Sequence, residues 1–361
     1  MAKRTNTAVW MENQNRWQIN VQKDGIRRSF TSSTPGRAGQ REANAKADAW
    51  LDDNITNANE KISKIFEIYI AECKTVYSQG MYNGLESRFK TWAIPIIGNV
   101  KMSALTEQHI QRVINSAYAA GRSRKTLMNI RADLYAFVKY CRKCKYTTLF
   151  PENITIPKDA DFKEKHILLP DDLQKLFSCD KTELRGKEVF ESLIYAFRFH
   201  VLTGLRPGEL LGLEWRDIDW ETNTVHIRRS INKYQETTKG KNKTANRLFG
   251  LSDIAAEVLR EQQKLNAFGR VFGDITPIYY TKHWHKFCEY NGIARVTPYE
   301  LRHTFVSVSA KMPEGMLQKL VGHTKSMDSF GTYGHTYSEM RKKTAEKSNE
   351  IWSKVLKLDE E

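Results

Sequence analysis

The sequence predicts a multidomain α+β chain: a small β-rich N-terminal domain, a helical middle domain, and a mainly helical C-terminal domain carrying a small antiparallel sheet. Three observations predict it. Apolar and polar residues alternate over roughly the first 55 positions, the period of half-buried strands. From about residue 60 to 150 the apolar positions recur at three- and four-residue spacing, which is helical. After a proline-bearing stretch both patterns return, with an alternating pair of segments set between helices. At 361 residues the chain has room for two or three domains with cores of their own.

The N-terminal domain is placed at residues 1–57. Ala8-Val9-Trp10 and Trp17-Gln18-Ile19-Asn20-Val21-Gln22 alternate as strands do, and Lys23-Asp24-Gly25 carries the Asp-Gly signal of a hairpin turn. Arg27-Arg28-Ser29-Phe30 begins the return strand, and Arg41 to Leu51 reads as a helix able to cover one face. A three-stranded sheet exposing Arg27 and Arg28 has the shape of a strand module that enters a DNA groove.

The helical domain is placed at residues 58–152. Ile62, Ile65, Phe66, Ile68 and Tyr69 share a helical face, as do Ile110, Val113, Ile114 and Ala117, then Leu127, Ile130, Leu134, Phe137 and Val138. Arg122, Arg124, Lys125 and Arg131 cluster at or near the start of the last helix, as a solvated face or a phosphate-contacting one. Cys141 and Cys144 have the spacing of metal ligands but no second pair nearby, so no metal site is assigned. Residues 153–167, with Pro157 and no periodicity, read as a linker. Leu169 to Phe177 then opens the last domain, 168–361, as a capped helix.

The formal charge is +15 and the isoelectric point about 9.4, so the partner is acidic, and nucleic acid is the first candidate. No stretch approaches the roughly 18 apolar residues of a membrane span, and Met1 to Asn6 lack the apolar region of a signal peptide. The five cysteines are scattered and odd in number, which argues against a disulfide framework and for the cytoplasm.

The chemistry lies in the last domain. An apolar helix through Phe190, Leu193, Ile194, Ala196, Phe197 and Leu202 ends at Thr203-Gly204-Leu205-Arg206-Pro207-Gly208-Glu209-Leu210. Gly204 suits a helix C-terminus and Pro207 the first position of the next helix, leaving Arg206 beside free N–H groups that favour an anion. Glu209 is expected to pair with Arg206 and hold its guanidinium plane. Thr224 to Ile231 alternates like a strand, and Asn246 to Leu251 can return beside it. Between 226 and 247 there are seven Lys or Arg (Arg228, Arg229, Lys233, Lys239, Lys241, Lys243, Arg247) against one acid, Glu236. Such a hairpin is an electrostatic finger for a phosphate backbone, although loops are also lysine-rich for solubility alone. Further on, Leu301, Phe305 and Val308 give one helical face, with Arg302 and His303 expected off that stripe. Val321-Gly322-His323 adds another donor. Tyr333 stands in Gly331-Thr332-Tyr333-Gly334-His335, where small neighbours leave the phenol out of any periodic core.

Taken in order, Thr203 to Leu210, Leu301-Arg302-His303-Thr304-Phe305, Val321-Gly322-His323 and Thr332-Tyr333-Gly334-His335 closely resemble the tyrosine recombinase family, the integrases of phages and mobile elements. The resemblance is strong from about residue 168 and weaker before it. It implies that Arg206 and Arg302 clamp the scissile phosphate, that His323 holds the family's second histidine position, and that Tyr333 is the nucleophile. It also implies a catalytic lysine on the β-hairpin, Lys241 first, with Lys239 and Lys243 as rivals. One position departs from the pattern: three residues before Arg302, where the family often has histidine, stands Tyr299. Its phenol can still donate to a phosphate oxygen, and His303 is not a positional substitute.

Bidentate arginines match the oxygens on which charge builds during attack on a phosphodiester. A phenol with an ordinary pKa of about 10 must lose its proton as it attacks, and a lysine near the leaving 5′-oxygen can return one. The resulting 3′-phosphotyrosine conserves the bond energy, so the resemblance implies neither ATP nor a metal cofactor. It further implies double-stranded DNA partners at core and arm sites, a homotetramer passing through a Holliday junction, integration or excision of a mobile element, and an excisionase or DNA-bending host factor as accessory. Arg341 to Leu358 reads as a basic amphipathic helix that either packs on its own domain or docks onto a neighbouring protomer. The rival readings are a type IB topoisomerase with the same tyrosine chemistry, and a non-catalytic DNA-binding regulator on the same fold.

Overall fold

The N-terminal alternation becomes three antiparallel strands in the computed structural model: β1 (Val9–Met11), β2 (Arg16–Lys23) and β3 (Ile26–Ser32). That model describes residues 5–23, 26–52, 59–162, 164–238, 246–322 and 338–358. They fall into two compact units, 1–163 and 164–361.

In the first unit Lys23 lies opposite Ile26, closing the β2–β3 hairpin, while Asp24 and Gly25 lie outside the described residues. Ile19 and Val21 face one side of the sheet and are buried beneath helix α1 (Gly36–Asp52), which contributes Ala43, Ala47, Trp50 and Leu51. This helix begins five residues earlier than Arg41, the start expected from the sequence. Helices α2 (Ile62–Val76), α3 (Gln79–Arg88), α4 (Ile94–Ile97), α5 (Glu107–Ala119) and α6 (Arg124–Lys143) then enclose a separate core. Most of the stripes read from the sequence are its substance: Ile62, Ile65, Phe66, Ile110, Val113, Leu127, Ile130 and Phe137 are buried, whereas Ile68, expected on the same face as Ile65, turns outward and is 43% exposed because it falls between the buried turns at Phe66 and Tyr69. Phe66 stacks on Phe89 with centroids 4.2 Å apart. Residues 149–161 follow this bundle without helix or strand, turning at 158–159, and are fastened by Thr155 N–H to Gln111 (2.9 Å) and by Arg131 to the Ile154 carbonyl (3.0 Å).

The second unit opens with α7 (Pro170–Ser178), followed by a hairpin of β4 (Lys181–Leu184) and β5 (Lys187–Phe190). The apolar spacing extends the next helix back to Phe190; α8 (Ile194–Thr203) starts four residues later, because Phe190 belongs to β5. A short α9 (Pro207–Leu211) precedes β6 (Ile218–Asp219), β7 (Thr224–Ile227), β8 (Ser230–Ile231), β9 (Thr237–Thr238) and β10 (Arg247–Gly250). The strands of the expected basic hairpin do pair: β10 runs antiparallel to β7, with β6 on its other edge. Helices α10 (Asp253–Leu265), α11 (Pro277–Asn291), α12 (Pro298–Val308), α13 (Glu314–Val321) and α14 (Ser338–Leu356) complete the unit.

The apolar face of α14 is spent within its own unit. Ile351, Trp352 and Leu356 belong to the unit's core, and Trp352 stacks on Phe305 of α12. Of the two roles offered to this helix by its sequence, the structure shows packing on its own unit. The contact is close: a Cβ on Gly250 of β10 would lie 2.7 Å from the Arg341 carbonyl oxygen, so only glycine lets α14 sit this near the strand. No helix among the described residues is long and apolar enough to cross a membrane.

Candidate active site

The site is built on the exit from α8. At Gly204 the backbone turns into the left-handed region (φ +59°), and Gly204 N–H closes the helix on the His200 carbonyl. A side chain there would also collide with Phe305, whose ring carbon lies 2.3 Å from an ideal Cβ. The chain leaves through Leu205 and Arg206, and Pro207 starts α9 with φ preset for a helix.

Arg206 sits on this corner with about a third of its side chain exposed. Its Nη1 donates to Glu209 Oε1 at 2.7 Å, its Nη2 donates to the Gly322 carbonyl at 3.1 Å, and its backbone N–H donates to Glu209 Oε2. The pairing expected of Arg206 and Glu209 is therefore present. Glu209 is buried and also receives both terminal nitrogens of Arg247, at 3.2 and 2.9 Å. Burial opposes its charge, but Arg247 and then Arg206 hold its carboxyl below the ordinary range.

Arg302 departs from the sequence expectation. The spacing of Leu301, Phe305 and Val308 sets it off the apolar stripe of α12, yet it is 1% exposed. The physical reason is that two inward-facing carbonyls pay for its burial: Nη1 donates to Gly204 O (2.8 Å) and Nη2 to Val321 O (2.7 Å). Burial first, then the nearby charge of Arg206, pulls its pKa down to about 10, so it remains a cation at neutral pH. Arg247 Nε donates to Leu320 O at 2.8 Å. Three arginines thus hold the three successive carbonyls 320, 321 and 322 at the end of α13, the groups a helix C-terminus leaves without internal partners. Among the described residues, these three guanidinium cations against the Glu209 carboxylate leave a local excess of two positive charges, which suits an anion.

Arg229 and Arg247, expected as DNA contacts, face inward. Arg229 is bidentate on buried Asp217 (2.6 and 3.2 Å) and reaches Glu214 at 3.1 Å. The signal was in the alternation. Val225 and Ile227 are buried, Arg229 keeps their every-second-residue spacing two positions past the end of β7, and Arg247 lies directly opposite Ile227. Arg228, one residue past the end of β7, is about half exposed and its Nε stands 3.7 Å from Asp217 Oδ1; the same Nε donates to His226 Nδ1, which puts the ring proton on Nε2, facing Asn246 Oδ1 at 2.6 Å.

Tyr299 is 47% exposed and meets His303 edge-on, with ring centroids 5.3 Å apart. Burial, with the charges of Lys165 and Arg302, lowers the pKa of His303. In the first unit Arg27 and Arg28 project to opposite sides of β3, and Arg28 lies over the Trp50 ring (5.9 Å). Arg122 binds the Ala120 carbonyl, Arg124 binds the Pro157 carbonyl, and Lys125 is exposed. Lys239, Lys241, Lys243, His323 and Tyr333 lie outside the described residues. Among the described residues no group of three or more His, Cys, Asp or Glu side chains is gathered as metal ligands would be.

The model of the phage integrase family matches residues 166–340, and that of the phage integrase N-terminal SAM-like domain matches 61–118. The chain belongs to the tyrosine recombinases of the phage integrase family. A tyrosine recombinase XerC-like protein of Caldanaerobacter subterraneus subsp. tengcongensis is 23% identical, across 98% of this chain and 100% of its own. The ICEBs1 integrase of Bacillus subtilis is 20% identical, across 90% and 93%. In fold the chain is similar to the Tn1549 transposon integrase in complex with transposon right end DNA (TM-score 0.62, 16% identity, 80% of this chain and 99% of that one). It is also similar to a lambda integrase tetramer bound to a Holliday junction (TM-score 0.58, 14% identity, 90% and 94%). The multidomain α+β class expected from the sequence is thus the fold of known integrases, and this tyrosine recombinase is an enzyme of site-specific recombination.

Proposed function

We propose that this recombinase cuts and rejoins double-stranded DNA at specific sites through a 3′-phosphotyrosine, exchanging strands through a Holliday junction to integrate or excise a mobile element. The observation that carries the reading is the convergence of Arg206 and Arg302, from different elements, on one corner with an excess of positive charge. In this reading both guanidiniums hold the non-bridging oxygens of the scissile phosphate, and Tyr299 can add a phenolic donor. Tyr333 attacks phosphorus as its proton leaves with help from His323. The 5′-oxygen departs with a proton from a hairpin lysine, Lys241 in the first instance, and the reverse step joins a new strand. Glu209 orients Arg206, and His303 supports the face that bears Tyr299.

The DNA partner follows from the charge of +15 and from solved relatives that are complexes with DNA. Residues 1–57, with Arg27 and Arg28, would bind arm sites; residues 58–152, with Arg122, Arg124 and Lys125, and the catalytic residues 168–361 would both bind the core site. Four copies on DNA, with an excisionase or bending protein as accessory, complete the proposal. The test is to incubate the full chain with a pool of random-sequence nicked duplexes in EDTA and isolate DNA that stays attached to protein in detergent. Covalent adducts enriched for one sequence are expected. Absence of any adduct from the wild-type chain, under conditions where it binds DNA, overturns the proposal. Relaxation of supercoiled plasmid without sequence preference would point to topoisomerase activity instead.

A further inference from the structure

His200 and Tyr280 are both wholly buried, with Phe197 against Tyr280 and Trp284 and Phe287 against Phe197, where a polar group is costly unless bonded. His200 Nε2 lies 2.9 Å from the Leu205 carbonyl, and its Nδ1 lies 2.8 Å from Tyr280 Oη. A carbonyl only accepts, so Nε2 carries the ring proton, Nδ1 accepts, and the Tyr280 hydroxyl donates. Burial pushes the histidine pKa down to about 4, which keeps this neutral form at working pH. The need arises at the corner: the left-handed turn at Gly204 points the Leu205 carbonyl into the core, and no backbone N–H among the described residues donates to it.

Three successive residues of the corner are therefore pinned by side chains. Arg302 holds the Gly204 carbonyl, His200 holds the Leu205 carbonyl, and Glu209 holds the Arg206 N–H. We propose that His200, keyed by Tyr280, is a positioning residue for Arg206: it fixes the peptide plane from which that side chain springs and so aims the guanidinium at the phosphate. The proposal rests on reading Arg206 as a phosphate clamp.

The test uses full-length His200→Leu, His200→Gln and Tyr280→Phe with the same nicked duplex pool in EDTA. It measures thermal midpoint, DNA affinity, and the single-turnover rate of adduct formation at saturating protein. His200→Leu should bind DNA within about threefold of wild type but cleave about 10- to 100-fold more slowly, the scale of a displaced catalytic group. His200→Gln, whose amide N–H can still reach the Leu205 carbonyl, should recover most of that loss, and Tyr280→Phe should fall between. A folded His200→Leu that cleaves at the wild-type rate, or a His200→Gln as slow as the leucine variant, overturns the proposal. Should the leucine variant not fold, nitrogen-15 NMR of histidine-labelled wild type decides: an Nε2–H tautomer at His200 supports it and an Nδ1–H tautomer refutes it. Arg206→Ala run alongside separates the two layers. If that variant cleaves normally, the phosphate-clamp reading fails and the positioning role falls with it, whatever the tautomer.

Discussion

Replacing Arg247 by leucine should lower the melting temperature of the catalytic unit substantially while leaving the salt dependence of DNA binding nearly unchanged. Arg247 is 8% exposed and gives Glu209 two hydrogen bonds and Leu320 a third. Removing one partner of a buried ion pair costs about 3–5 kcal/mol, because the other charge is left stranded. Here Arg206 still serves Glu209, which argues for the lower end, and the lost bond to Leu320 adds about 1 kcal/mol. A loss of about 3–4 kcal/mol in a unit of this size corresponds to a drop of roughly 6–16 °C. Circular dichroism melts at neutral pH measure it. The pH dependence supplies a second check. The folded Glu209 carboxyl titrates below its ordinary 4.5, so its contribution is present above that pH and is lost as pH falls through the folded value. The gap between wild type and variant should therefore narrow in acid below about pH 4.5. A melting temperature within about 2 °C of wild type, with the log–log salt slope of binding reduced by about one, would show that Arg247 meets DNA phosphate and would refute the reasoning.

Gly204→Ala should destabilise by about 2–5 kcal/mol, combining left-handed backbone strain with a methyl group driven into Phe305; chemical denaturation reads it. His200 has a folded pKa near 4 against an ordinary 6.5, so stability should be full above pH 6.5 and decline as pH falls toward 4. The loss is about 3 kcal/mol by linkage, and urea titrations across that range should show it in wild type but not in His200→Gln. Arg228→Ala removes a half-exposed partner 3.7 Å from Asp217, which Arg229 already holds bidentate; it should lower the melting temperature by no more than about 4 °C and reduce the salt slope of DNA binding by about one.

Elements and motifs that depend on local rules were legible in the sequence. The α8 C-terminus at Gly204, the N-terminal proline of α9, the Arg206–Glu209 pair and the β7–β10 pairing follow from backbone preference and from alternation, and each is present. What escaped depends on partners distant in sequence. Arg302 is buried only because the carbonyls of residues 204 and 321 come to it, and no spacing within α12 reveals that. By charge Arg247 and Arg229 belong to the basic hairpin, although the every-second-residue alternation through Val225, Ile227 and Arg229, with Arg247 opposite Ile227, turns both inward. His200 and Tyr280 lie 80 residues apart and bear no motif that links them. The β4–β5 hairpin, four residues a strand, is too short for its alternation to stand out.

The central claim is that one tyrosine takes the DNA. Trypsin should release Ser326 to Arg341 as a single peptide containing both Tyr333 and Tyr337. Tandem mass spectrometry of nuclease-trimmed adducts would then locate the attached nucleotide. The account predicts a 3′-linked nucleotide on Tyr333, and none recovered from Tyr333→Phe. A nucleotide on Tyr337, or adducts undiminished in Tyr333→Phe, would contradict it.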